Sequence, residues 1–126
     1  MNKNVVGYVR VSTERQEKKG MSIQNQTEKI KEYCSLMDLS LDEIIVEVKS
    51  GKDDNRVGYN KVLDMVKDKS IDGVVVYSLS RWGRNITDNW NSISLMEKRN
   101  INFFSIKESI DTSIRKECLY FSLASI

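Results

Sequence analysis

The 126-residue chain contains no histidine and no proline, only two cysteines and six glycines, and a net charge of just +2. The first absence removes the histidine-based triads that activate most nucleophilic serines. Any reactive serine here must work with arginine, lysine, carboxylate or water. Without proline, chain breaks fall to glycine, and Gly20, Gly51, Gly58 and Gly83 are the expected sites. Cys34 and Cys118 lie far apart and fit apolar helix faces, which points to buried free thiols rather than a disulfide or a metal pair. The near-balance of 20 basic and 18 acidic residues excludes a nucleic-acid binder driven by bulk charge alone. No apolar run approaches the roughly 20 residues that span a bilayer, and residues 1–5 lack the hydrophobic region of a signal peptide. No membrane partner and a cytoplasmic location are therefore expected.

What is present is an alternation of two periods. Four short runs rich in valine and isoleucine, at 5–11, 43–48, 73–79 and 101–106, read as strands covered on both faces. Between them the apolar residues recur at helical spacing. Ile23, Thr27, Ile30, Cys34 and Met37 share one face of a first helix, and Tyr59, Val62, Leu63 and Val66 share one face of a second. Ile86, Trp90, Ile93 and Met96 mark a third. Ser22 is placed to cap the first helix, Asn85 or Thr87 to open the third, and Asn100 to end it in a left-handed turn. The expected fold is a single α/β domain, a three-layer sandwich whose mostly parallel sheet has the flavodoxin-like order 2-1-3-4 and carries helices on both faces. Residues 114–126 read as a further helix that is apolar on more than one face, as expected of one that packs against a second subunit. Its pattern has no stop signal at Ile126, so a longer parent protein is expected.

The chemistry-bearing residues gather at strand ends. Open parallel sheets bind ligands beyond the carboxyl ends of their strands, where the strand order reverses. Three loops should meet there. The first carries Arg10, Ser12 and Gln16; the second carries Ser50, Gly51, Lys52 and Arg56; the third carries Ser80, Arg81, Trp82, Gly83 and Arg84. Four of the seven arginines thus share an edge with a serine, whereas Lys29, Lys31, Lys67 and Lys69 fall on solvated helix faces. Guanidinium groups bind phosphate oxygens in pairs and stay charged, so this set suits phosphoryl transfer better than acyl transfer. The start of the third helix could reinforce an anion site there, and Gly83 would permit close backbone approach. At helical spacing Trp90 belongs in the core, while Trp82 fits a lid, an interface or a contact to DNA.

In this order the motifs resemble the catalytic domain of the serine recombinases, the resolvase and invertase family: Tyr8-x-Arg10-Val11-Ser12-Thr13, Ser22-Ile23-x-x-Gln26, Ser50-Gly51 with Arg56-x-Gly58, and Leu79-Ser80-Arg81-x-Gly83-Arg84. The resemblance covers almost the whole chain. It implies that Ser12 attacks a DNA phosphodiester, forming a 5′-phosphoserine link and a free 3′ hydroxyl, before strand exchange and religation. Arg10, Arg56, Arg81 and Arg84 match the family's active-site arginines. Gln16 and Gln26 match supporting polar positions, and Glu47, Ser50 and Ser80 lie near the site. The family works on double-stranded DNA as a homodimer that assembles into a tetramer, on mobile elements, without metal, nucleotide or other cofactor. By the same resemblance residues 1–112 form the catalytic domain, residues 113–126 begin a long dimerisation helix, and a DNA-binding domain is absent from this chain. Ser80 stands where many small resolvases have aspartate, which resembles the large or transposon-associated branch.

Two other classes fit parts of the pattern. Glu47, Asp53 and Asp54 would be the ligands of a metal-dependent nuclease, although the arginine set argues against it. A flavodoxin-like regulatory domain would bind a small anion at the same edge. Receiver-like modules want acids at the first strand end, where this chain has Arg10 and Ser12.

Overall fold

A computed structural model of the chain describes residues 3–12, 22–49 and 56–113. In chain order these form β1 (Asn4–Ser12), α1 (Ile23–Leu36), β2 (Ser40–Lys49), α2 (Val57–Asp68), β3 (Gly73–Val76), a 3-10 turn (Leu79–Arg81), α3 (Ile86–Lys98), β4 (Asn102–Ser105) and β5 (Ile110–Asp111). The sheet order is β2-β1-β3-β4-β5, parallel except for the short β5, which runs antiparallel to β4. The expected 2-1-3-4 order is therefore present, with one two-residue strand added at the edge. Ile110 and Asp111 are too short a run to announce a strand. Their pairing depends on the tight turn that brings them back beside Phe104 and Ser105.

Two apolar layers flank the sheet. Val5, Val9, Val11 and Val75 pack with Ile30 and Cys34 of α1, and Cys34 is a buried free thiol as expected. Val6, Tyr8, Val74 and Val76 face the opposite way, onto Tyr59, Val62 and Val66 of α2 and Ile93 and Met96 of α3. The period-two alternation of β1 thus feeds both layers at once. Ser22 caps α1 by accepting from the Asn25 amide at 3.1 Å, and Asn85 caps α3 by accepting from the Asp88 amide at 2.8 Å. Asn100, at φ 59°, ends α3 in the left-handed turn expected of it.

Several expectations shift. β3 stops at Val76, and Leu79 belongs to the 3-10 turn. β2 is an edge strand rather than a doubly covered one, so Val46 and Val48 are exposed. Met37 follows α1 and is exposed too. Gly58 breaks nothing. It sits in the first turn of α2, where a Cβ would meet the Ile45 side chain at 3.0 Å, so glycine lets the helix seat closely on β2. The buried stripe of α3 is Asn89, Ser92, Ile93 and Met96, which leaves Ile86 and Trp90 exposed. Trp82, by contrast, is fully buried. Its ring lies 4.5 Å from Tyr59, 5.2 Å from Tyr8 and 5.9 Å from Phe103, centroid to centroid. The indole N–H donates to Ser92 Oγ at 2.8 Å, and this bond helps set the rotation of α3. The expected helix at 114–126, with Cys118, lies outside the described residues, as do Gly20 and Gly51.

Candidate active site

β1 outruns β3. Its last pair with β3 is Tyr8 with Val76, but it stays paired to β2 as far as Ser12 with Lys49. Beyond Tyr8 the β3 side is therefore open, and this is the switch point where a ligand is expected. Arg10 and Ser12 follow Tyr8 at intervals of two, so all three share the face that carries α2 and α3. Glu47 and Lys49 stand beside Arg10 and Ser12 on the neighbouring strand.

A cleft of about 400 Å³ is lined by Arg10, Val11, Ser12, Lys49, Arg81 and Arg84. Three of the four expected arginines thus meet at the expected serine. Arg10 donates through Nη2 to the Ser80 carbonyl at 2.5 Å, which ties β1 to the third loop. The Arg10 carbonyl accepts from Gln26 Nε2 at 3.1 Å and more weakly from Arg81 Nη1 at 3.4 Å. Gln26 is fully buried and holds the end of β1 from the first helix. Ser80 is exposed, and its hydroxyl pairs with Ser78 at 2.9 Å. Burial, and then the nearby Arg56 and Arg81 charges, pull the Arg10 pKa down from its ordinary value. The cleft itself gathers Arg10, Lys49, Arg81 and Arg84 around Ser12, which suits it to an anion.

Arg56 is placed differently. It borders a second cleft, of about 520 Å³ between β2 and α2, together with Arg10, Glu47 and Gly58. Its Nη1 donates to Asp88 Oδ2 at 2.8 Å, its Nη2 donates to the Trp82 carbonyl at 2.5 Å, and its guanidinium carbon lies 3.6 Å from the Tyr59 ring centroid. Burial opposes the charge, but the Asp88 hydrogen bond and neighbouring charges outweigh it, so the Arg56 pKa is raised. The backbone at Arg56 is left-handed, at φ 54°, and its side chain does not cap the helix that follows.

Glu47 supplies that cap from the adjoining strand. Its carboxylate accepts from the Gly58 amide at 2.8 Å, from the Tyr59 amide at 3.1 Å and from the Tyr8 hydroxyl. Burial, then the Glu47 hydrogen bond, raise the Tyr8 pKa, which keeps the phenol protonated as the donor. With its oxygens engaged in this way, Glu47 is a structural carboxylate. Among the described residues no three His, Cys, Asp or Glu side chains gather as a metal site, so the nuclease reading finds no support there. Its other expected ligands, Asp53 and Asp54, lie outside the described residues, as do Gln16 and Ser50.

The family model for the resolvase N-terminal domain matches residues 5–126. The chain belongs to this family. Among curated relatives, this resolvase-family chain is 32% identical over 120 residues to the DNA-invertase hin of Salmonella typhimurium, covering 95% of this chain and 56% of that one. It is 34% identical over 109 residues to a DNA-invertase of Enterobacteria phage P7, covering 86% and 52% respectively. The chain spans about half the length of the curated relatives it matches. Among solved structures, the N-terminal catalytic domain of TP901-1 integrase superposes with a TM-score of 0.83 at 30% identity, over 98% of this chain and 93% of that one.

Two residues escaped the motifs of this resolvase domain. Lys49 lines the Ser12 cleft because the parallel register sets it opposite Ser12, a signal visible only once the two strands are aligned. Asp88 reaches back from α3 to bind Arg56 and also accepts from the Arg84 amide at 2.9 Å. As an acid in the first turn of a helix it reads in sequence as an ordinary partner of the helix dipole. That side chain and Asn85 occupy the Arg84 and Asp88 amides, so these donors of α3 are taken by the protein itself. Gly83 is required by packing within the domain, since a Cβ there would fall 2.0 Å from Asn89 Oδ1.

Proposed function

We propose that this chain is the catalytic domain of a serine-type site-specific DNA recombinase, with Ser12 as nucleophile. The observation that carries the reading is the single cleft shared by Ser12, Arg10, Arg81 and Arg84. Ser12 Oγ forms a bond to phosphorus as the P–O3′ bond breaks. The hydroxyl proton is released and the 3′ oxygen gains one, so the step is balanced without a cofactor. The bond energy is held in the phosphoserine link and returned when a 3′ hydroxyl attacks it. Arg10, Arg81 and Arg84 bind the non-bridging oxygens and stabilise the pentavalent state, and Arg56 joins them in the assembled complex. Gln26 and Ser80 position Arg10, and Lys49 adds charge beside Ser12. The partner is double-stranded DNA in the bacterial cytoplasm, cut by a homodimer that pairs into a tetramer. The DNA-invertase and integrase names of the relatives support this reading.

The test is trapping of a covalent protein–DNA adduct by the full-length protein on a nicked duplex in EDTA. Ser12→Ala should abolish the adduct. Arg81→Gln should lower its rate by about 100-fold or more, the scale of losing one transition-state donor, whereas Lys67→Gln, on an exposed helix face, should change it little. Cleavage that survives Ser12→Ala and dies in EDTA would overturn the assignment, and equal effects of the two neutralised cations would remove the arginine clamp.

A further inference from the structure

One carboxylate oxygen joins two of the arginine-bearing loops. Asp88 Oδ2 accepts from the Arg56 guanidinium at 2.8 Å and from the Arg84 backbone amide at 2.9 Å. With Asp88 on one terminal nitrogen, the Trp82 carbonyl on the other and the Tyr59 ring below, the Arg56 side chain is only 7% exposed. Arg56 Nε is also buried, with no acceptor among the described residues. This arginine is thus bound by the protein's own groups, and it borders the β2–α2 cleft instead of the cleft that holds Ser12.

A phosphodiester carries one negative charge over two non-bridging oxygens, much as a carboxylate does, and a guanidinium fork binds either. The fork cannot serve both a partly buried carboxylate on α3 and a phosphate in the Ser12 cleft. We propose that Asp88 is an internal stand-in for the DNA phosphate, an autoinhibitory latch that keeps Arg56 out of the Ser12 cleft until assembly on DNA draws it away. The latch rests on the recombinase reading above. Its logic is an exchange of one anion for another at a single cation, so the free domain holds an incomplete clamp beside its nucleophile. The same oxygen also holds the Arg84 amide, so Asp88 keeps an acceptor role at the loop before α3 once Arg56 has left.

Single-turnover adduct formation by the full-length protein at saturating nicked duplex tests the latch. Asp88→Asn keeps an acceptor for the Arg84 amide but removes the competing charge, and it should form the Ser12 adduct roughly tenfold faster. The gain should vanish when Arg56→Gln is added. An Asp88→Asn rate equal to or below wild type, with native circular dichroism, overturns the latch, and so does a gain that persists without Arg56. If Asp88→Asn does not fold, the wild-type protein gives an independent readout in the nitrogen-15 resonances of the Arg56 guanidinium. They should shift on binding a short duplex, as the guanidinium exchanges the Asp88 carboxylate for a phosphate, and unchanged signals in a saturated complex overturn the latch. Absence of any Ser12-dependent adduct in wild type would sink the recombinase reading instead, a result distinct from either failure of the latch.

Discussion

Trp82 follows directly after an arginine of the Ser12 cleft, yet it is buried against Tyr8, Tyr59 and Phe103. Its carbonyl holds Arg56 while its indole N–H is held by Ser92, so one residue connects core packing to the arginine set. Trp82→Ala should destabilise the domain by about 3–5 kcal/mol, as large core truncations do. Trp90→Ala, at an exposed site, should cost under about 1 kcal/mol. Urea unfolding of the two variants checks the ranking, and the opposite order would contradict the packing. Helical spacing favours the reverse, because Ile86, Trp90, Ile93 and Met96 line up on one face. That spacing omits the polar partner. A buried indole needs an acceptor, Ser92 provides it, and α3 turns to present Ser92, with Asn89 seated against Gly83.

At the scale of elements, α2 starts on a carboxylate that belongs to β2. Its first-turn amides, at Gly58 and Tyr59, both donate to Glu47, and the Tyr8 hydroxyl from β1 donates to the same group. Glu47→Ala would strand these donors and should cost about 2 kcal/mol. Amide hydrogen exchange should accelerate first at Gly58 and Tyr59; protection there that equals wild type would disprove the cap. The arrangement depends on register. β1 and β2 shift at Val5/Val6, where Asp42 is skipped, and only then do Glu47 and Lys49 stand opposite Arg10 and Ser12. A slip of one residue would turn both to the other face. The strands themselves are legible in their apolar runs, but the bulge that aligns them is not, since nothing local to Asp42 announces it.

The whole molecule should lose stability at both ends of the pH scale. Burial pushes the Cys34 thiol up to about 11 and the Tyr33 phenol, with help from Asp111, up to about 12. The unfolded chain releases these protons at its ordinary, lower values, so stability present below about pH 9 falls as pH rises toward 11. Asp88 behaves in the opposite sense. Although burial opposes its charge, the Arg84 amide and the Arg56 guanidinium hold its pKa below the ordinary carboxylate value. Its contribution is complete above the unfolded value of about 4 and is lost as pH falls through the lower folded value. Denaturant midpoints at pH 3, 7 and 10.5 should peak at the middle value, and Asp88→Asn should flatten the acid limb. An unchanged acid limb in that variant would show that other carboxylates carry it.

The sequence by itself determined the α/β alternation, the central strand order, the caps at Ser22 and Asn85 and the family, because each is written in local periodicity or in a short ordered motif. It also named Ser12 and the arginines of its cleft, since strand ends and their loops are set by the alternation. Only the tertiary structure decided that Arg56 faces Asp88, that Lys49 adjoins Ser12 and that Trp82 rather than Trp90 fills the core. Each of those pairings joins residues on different elements. Their contact depends on strand register and helix rotation, which the packing of the whole domain sets together and no local pattern encodes.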